Sequence, residues 1–154
     1  MLQLVITPYQ SIGPIKLGVS RPEMRKTLSE SGLLFKSSRN KQDYFCNASI
    51  QVEYEEDETA SFIGVRCHAS YICFYNGVNV FDTPAEELFA LMAAGEEQGS
   101  IHTFDSCEYT FPHQILTLWD ADAQYDRLGG EVRPIWAQVG IGDARYLAAT
   151  AKYR

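Results

Sequence analysis

The chain has 154 residues, 45% of them hydrophobic and 21% charged, enough to bury a core and ordinary for a folded domain. With 20 acidic against 13 basic residues its formal net charge is −7, which disfavours nucleic acid and anionic membrane surfaces, both of which are bound through Lys and Arg. No long apolar run and no basic-then-apolar leader occur, so the expected compartment is the cytoplasm, with Cys46, Cys67, Cys73 and Cys107 reduced and packed as small hydrophobes.

Residues 1–6 read as a first or edge strand ended by Pro8, residues 9–13 as a loop, and 15–17 as a short extended piece. A helix is expected over 21–31. Ser20 and Glu23 form a capping box at its start, Pro22 lies in its first turn, and Gly32 is its left-handed stop. Met24, Thr27 and Leu28 make its inward stripe. The polar run 36–41 reads as a loop. Strands follow at 44–46, 49–54 and 60–67, and the period-two pattern puts Ile50, Val52 and Tyr54 on one face.

The same plan starts again at residue 71. A strand at 71–75 meets Asn76-Gly77, the strongest short hairpin signal, and returns over 78–81. A second helix over 84–94 is expected to start at a Thr83/Glu86 box, to bury Leu88, Leu91 and Met92, and to end at Gly95 or Gly99. Further strands are expected at 104–111, 114–119 and 135–139, with Gly129-Gly130 in the last long turn and a final extended run over 145–150. Superposing Ser20 on Thr83 also matches Ile15 with Val78, Leu17 with Val80 and Leu28 with Leu91. Beyond them, residues 50–54 resemble 115–119. The expected fold is therefore α+β, one domain of two similar strand–helix–meander halves, about 1–68 and 69–154. Antiparallel sheet, in one piece or two, carries two helices on one face.

Chemistry-bearing patterns are sparse. Cys67 and His68 are neighbours and point to opposite faces of a strand, so they do not pair. Cys107 with His102 or His113 has no supporting motif, and buried filler is the better reading of the thiols. The spacing of Cys67 and Cys73 does not suit zinc. Asp120, Asp122 and Asp126 look like part of a calcium loop but lack its turn glycine and closing glutamate. Residues 140–144 start like a dinucleotide loop, yet no helix is expected after them. Neither a cofactor nor a metal is expected. Residues 53–58 carry five carboxylates in six positions. Such a run is ordinarily a solvated turn; beside an exposed aromatic it becomes an acidic prong for a basic groove.

The stretch from Gly13 to Met24, Gly-Pro-Ile-Lys-Leu-Gly-Val-Ser-Arg-Pro-Glu-Met, is similar to the signature of a bacterial superfamily. That superfamily includes the outer-membrane-assembly small lipoproteins and the tandem-repeat β-lactamase inhibitory proteins. Val19 replaces the methionine of the usual Leu-Gly-Met-Thr, and Phe81 stands where the first half has Gly18. The resemblance implies a structural motif, a glycine turning the chain into a capped helix across an antiparallel sheet. It implies a binding module rather than an enzyme, and its cytosolic, acidic, tyrosine-rich members suggest an immunity protein.

The expected function is thus a non-catalytic immunity or inhibitor protein that occludes a basic, toxin-like protein. Its expected contact residues are Tyr54, Glu55, Glu56, Asp57 and Glu58, with Trp119, Asp120 and Asp122 as a second group. An alternative is a small hydrolase or transferase using His102, Cys107 or His113 between the halves. A third is a homodimer that pairs through residues 1–6 as an edge strand.

Overall fold

The computed structural model describes residues 1–121, 123–125 and 133–151; Asp122, Asp126 and the expected Gly129-Gly130 turn lie outside them. The first part of the chain forms β1 (Leu2–Thr7), β2 (Ser11–Ile12), β3 (Ile15–Lys16), α1 (Arg21–Glu30), β4 (Phe35–Arg39), β5 (Gln42–Phe45), β6 (Ile50–Tyr54) and β7 (Ala60–Val65). The second forms β8 (Tyr71–Tyr75), β9 (Val78–Asn79), α2 (Ala85–Ala94), β10 (Glu108–Phe111), β11 (Leu116–Trp119), β12 (Ala123–Tyr125), β13 (Arg133–Ile135), β14 (Gln138–Gly142) and α3 (Ala144–Thr150).

The fold is α+β. Among the described residues the strands make a five-stranded sheet ordered β3-β2-β1-β8-β9, a seven-stranded sheet ordered β10-β11-β14-β7-β6-β5-β4, and the β12–β13 pair. The β1–β8 pairing is parallel; the others are antiparallel. At the centre of the larger sheet β7 faces β14, with Ile63 opposite Ile141 and Val65 opposite Val139. Strands β6 and β11, which cover the two look-alike stretches, each flank one member of this central pair.

Alternation in the strands builds one core. Ile50, Val52 and Tyr54 of β6, Ile63 and Val65 of β7, and Val139 and Ile141 of β14 point into it. They meet Leu4, Ile6, Tyr71, Cys73 and Tyr75 of the smaller sheet, with Met24 and Leu28 of α1 and Leu88, Phe89 and Met92 of α2. Burial of this apolar set is the main stabilising force. The opposite face of the larger sheet is paved with small residues, because Gly64 lies directly across from Gly140. The Phe62 ring lies over them and stacks on Tyr146 of α3 at a centroid distance of 4.5 Å. A Cβ on Gly140 would come within 2.7 Å of that ring, so glycine is what allows the close approach.

Several expectations hold in detail. Gly18 and Gly32 adopt positive φ on either side of α1, as do Asn76 and Gly77 between β8 and β9. Others are corrected. Residues 1–6 do not form an edge, since β1 lies between β2 and β8. Residues 36–41 are not a loop, because β4 runs from Phe35 to Arg39 as an exposed edge strand. Solvated on both faces, it shows no hydrophobic alternation, and its Lys36 and Arg39 are the charges that guard an edge. The Thr83 box is absent. Pro84 occupies the cap position of α2, and the Thr83 hydroxyl donates to the Asn79 carbonyl at 2.7 Å. In α2 it is Phe89 that is buried, while Leu91 is exposed. Residues 145–150 are helical rather than extended.

Candidate functional site

The acidic run forms the tight turn between β6 and β7, and most of it is tied down. Glu55 accepts a hydrogen bond from the Ser61 hydroxyl at 2.7 Å. Glu56 pairs with Lys41. Asp57 accepts from the Thr59 hydroxyl at 2.6 Å and from Arg145 at 3.3 Å, and these bonds, the threonine's foremost, hold its carboxyl below the ordinary range. Glu58 pairs with Arg21 at 3.2 Å. The entry to α1 is stitched to this turn and the start of β7 as well, through Arg21 N–H to the Glu58 carbonyl and Gly18 N–H to the Ala60 carbonyl at 3.0 and 2.8 Å. Three cations therefore answer the tip's carboxylates, and the tip clasps α1, the β4–β5 turn and α3 together.

Tyr54 does not stand beside this tip as a surface anchor. It is 3% exposed, and its hydroxyl donates to Asp43 Oδ2 at 3.1 Å. The reason was already in the pattern, since Tyr54 shares a face with Ile50 and Val52, and that face is the core. Phe62 is buried too. Around Tyr54 a polar knot forms that the sequence reading missed. Arg21 and Arg25, one helical turn apart on α1, converge on the fully buried Asp43, Arg21 Nη2 at 2.8 Å and Arg25 Nε at 2.9 Å. Burial alone raises the Asp43 carboxyl, but the two guanidinium groups outweigh it and hold the group below its usual range. The Arg21 guanidinium also covers the Tyr54 ring at 4.8 Å. Buried in a low dielectric next to Asp43, the Tyr54 hydroxyl is pushed far up and stays protonated.

Trp119 lies at the other end of the larger sheet. It is level with Arg66, about 20 Å along β7 from the tip at 3.3 Å per residue, so the structure does not bring the two expected groups together. Trp119 is 43% exposed. Its phase in β11 is opposite to the buried Leu116 and Leu118, which turns it outward. The Arg66 guanidinium sits over the ring at 5.0 Å, and Glu108, exposed on β10, is directly opposite in register. Asp120, half-buried, is part of a turn: its N–H donates to the Cys107 carbonyl at 2.8 Å and its carbonyl accepts from Ala137 at 2.9 Å.

His68 and His102 have side-chain partners, and Cys107, expected as buried filler, is exposed. His68 Nδ1 lies 3.3 Å from the Cys46 thiol and accepts from the Ser70 N–H at 3.0 Å, which places its lone pair on Nδ1. Cys46, Asn47 and Ala48 are three successive residues at positive φ, a left-handed turn invisible to hydrophobic pattern. His102 is bracketed by Ser100 and Tyr109, at 2.9 and 2.6 Å, so Cys107 is not its partner. The Ser100 hydroxyl gives its proton to the Glu97 carbonyl at 2.5 Å, not to the imidazole, and that polarity does not activate a serine nucleophile. His113 is held by its backbone: its carbonyl accepts from Tyr9, and its N–H donates at 2.9 Å to the buried Glu96. Cys73, buried without a charge partner, has its thiol pushed up to about 12.

Among the described residues no three His, Cys, Asp or Glu side chains converge as a metal site would require, and no helix is long and apolar enough to cross a membrane. The surface that remains is an aromatic ring with a guanidinium over it and carboxylates at its border, on a rigid sheet. Comparison of the chain with protein-family models, with curated proteins and with solved structures finds no match.

Proposed function

We propose that this chain is a non-catalytic protein-binding module of immunity or inhibitor type that docks a basic protein through the outer face of the larger sheet around Trp119. The observation that carries this reading is the half-exposed Trp119 side chain, capped by Arg66 and facing Glu108. Tryptophan and arginine are the side chains most enriched at binding hot spots, and a rigid strand presents them at little entropic cost. The acidic tip of Glu55 to Glu58 has a different part: with its carboxylates tied internally, it contributes to the negative field that draws in a basic partner. The resemblance of residues 13–24 to a superfamily of binding modules supports the same reading. So do the four free thiols, which suit a reducing compartment such as the cytoplasm.

The test is affinity capture from the source cell, followed by binding kinetics with the captured protein. The expected partner is basic. Trp119→Ala is expected to weaken it by about 30-fold, the equivalent of about 2 kcal/mol, mainly through faster dissociation. Glu56→Lys is expected to slow association at low salt and to leave dissociation unchanged. A partner held equally well by Trp119→Ala would overturn the proposal.

A further inference from the structure

Of the four asparagines in the chain, Asn40, Asn47, Asn76 and Asn79, only Asn76 is followed by glycine. Asparagine is a thermolabile residue, because the next backbone nitrogen can attack its side-chain amide carbon, and glycine leaves that nitrogen unhindered. Asn76 and Gly77 are both exposed, and open space surrounds the position a Gly77 Cβ would take. The other three are less open to attack. Asn40 precedes Lys41 and Asn47 precedes Ala48, each with a side chain beside the nitrogen. Asn79 precedes the buried, β-branched Val80, and its own side chain accepts from the Phe81 N–H at 3.2 Å.

The fold sets when that nitrogen and that carbon can meet. Asn76 and Gly77 have φ of 48° and 80° and close the loop between the paired Tyr75 and Val78, the geometry of a type I′ turn. In the left-handed conformation of the first turn position, the Asn76 Cβ and the Gly77 nitrogen lie on opposite sides of the Cα–C bond, and no ring can close. Closure requires Asn76 to rotate out of the turn, which breaks the pairing of Tyr75 with Val78. Strand β9 has 2 residues and is the last strand of the smaller sheet, and such ends open locally at low cost.

We propose that Asn76 is a site of covalent self-modification, gated by opening of the β8–β9 hairpin. With the turn open, the Gly77 backbone nitrogen gives its proton to solvent base and attacks the Asn76 Cγ. The new C–N bond closes a succinimide ring, and the side-chain nitrogen leaves as ammonia. Water then adds to either ring carbonyl and breaks its bond to the nitrogen, so that the net change is amide and water to acid and ammonia. Opening at Cγ yields aspartate at position 76. Asp-Gly suits the same turn, so this product keeps the hairpin and adds a negative charge. Opening at the backbone carbonyl yields isoaspartate, whose main chain runs through Cβ. That extra carbon is incompatible with the register of Tyr75 and Val78. Because β9 leads straight into the 3₁₀ turn that buries Val80 and Phe81, the isoaspartyl product loosens the entry to α2.

The test follows the full chain in warm neutral buffer by peptide mapping, beside a capped peptide of residues 73–80 and the full chain in sub-denaturing urea. Conversion is expected at Asn76 before any other asparagine. In the folded chain it should be slower than in the peptide by about tenfold or more, and urea should bring it toward the peptide's rate. Amide exchange then separates the products. Asn76→Asp should keep the protection of the β8–β9 pairing, and the purified isoaspartyl chain should lose it. Conversion at another asparagine first, a folded-chain rate equal to the peptide's, or a rate unmoved by urea would overturn the inference. An isoaspartyl chain as well protected as Asn76→Asp would do the same. None of these readouts involves Trp119, so the outcome is independent of the docking face proposed above.

Discussion

Asp43 has no exposed surface, and donors from Arg21, Arg25 and Tyr54 converge on its two oxygens. Its place was legible in outline: in β5 Asp43 is in phase with Phe45, and the phase of Phe45 is inward. A carboxylate at such a position needs cations, and α1 supplies two at a spacing of four, Arg21 and Arg25. That they reach β5 is a tertiary fact, because the helix and the strand are joined through β4 and a turn. The pH consequence follows from the direction of the shift. With its carboxyl held below the ordinary value when folded, Asp43 adds stability that is complete above the unfolded value of about 3.9 and is lost as pH falls through the lower, folded value. Asp43→Asn leaves two guanidinium groups facing a neutral amide and is expected to cost about 3 kcal/mol at pH 7. In urea titrations the gap between variant and parent should narrow below about pH 4. A gap independent of pH would show that the charge of Asp43 is not what holds the knot.

At the scale of elements, the helix starts were partly readable. Ser20 accepts from the Glu23 N–H at 3.4 Å, so the first cap was correctly placed, though its bond is long. The matching box at Thr83 failed because Asn79 had already taken charge of that corner: its side chain accepts from the Phe81 N–H at 3.2 Å, opening the 3₁₀ turn at Val80–Asp82. The segment 145–150 was misread because a seven-residue helix with Tyr146, Leu147 and Thr150 on one side shows no clear period. What decides it is Asp143, whose carboxylate accepts from the N–H groups of Arg145 and Tyr146 at 2.9 and 3.2 Å while pairing with the Arg145 guanidinium at 2.9 Å. Asp143→Ala is therefore expected to cost about 1–2 kcal/mol and Ser20→Ala about 0.5 kcal/mol, measured as shifts of the urea midpoint. Equal costs would mean that α3 does not depend on its cap.

At the scale of the whole molecule, the larger sheet is covered on both sides by different means. The inner face meets the smaller sheet together with α1 and α2, and the outer face meets α3 through Phe62 and Tyr146. The glycine pair in β7 and β14 is what lets Phe62 lie flat, and the two glycines are not equivalent. A Cβ at Gly64 would first meet the flexible end of Gln138 at 2.5 Å, whereas one at Gly140 meets the Phe62 ring at 2.7 and 2.8 Å and Thr117 at 2.6 Å. Phe62 is backed by Tyr146 and has less room to move. Gly140→Ala should cost about 1–3 kcal/mol, more than Gly64→Ala, and should speed amide exchange in α3. If exchange there is unaffected, the aromatic stack does not hold the helix. The same coverage leaves Trp119 half-exposed at the far end of the outer face, with Arg66 over its ring.

Taken alone, the amino-acid order determined what depends on neighbours in the chain: the α+β class, the first capped helix with its glycine stop, the Asn76-Gly77 turn, and the inward face of β6. These follow from periodicity and local hydrogen bonding, which act over a few residues. Only the folded molecule decided which strands adjoin, that β1 is interior, that the tip carboxylates find Lys41, Arg21 and Arg145, and that Glu108 faces Trp119. Those outcomes depend on sheet register and on side chains far apart in sequence, and charge pairing at long range leaves no periodic trace from which it could be read.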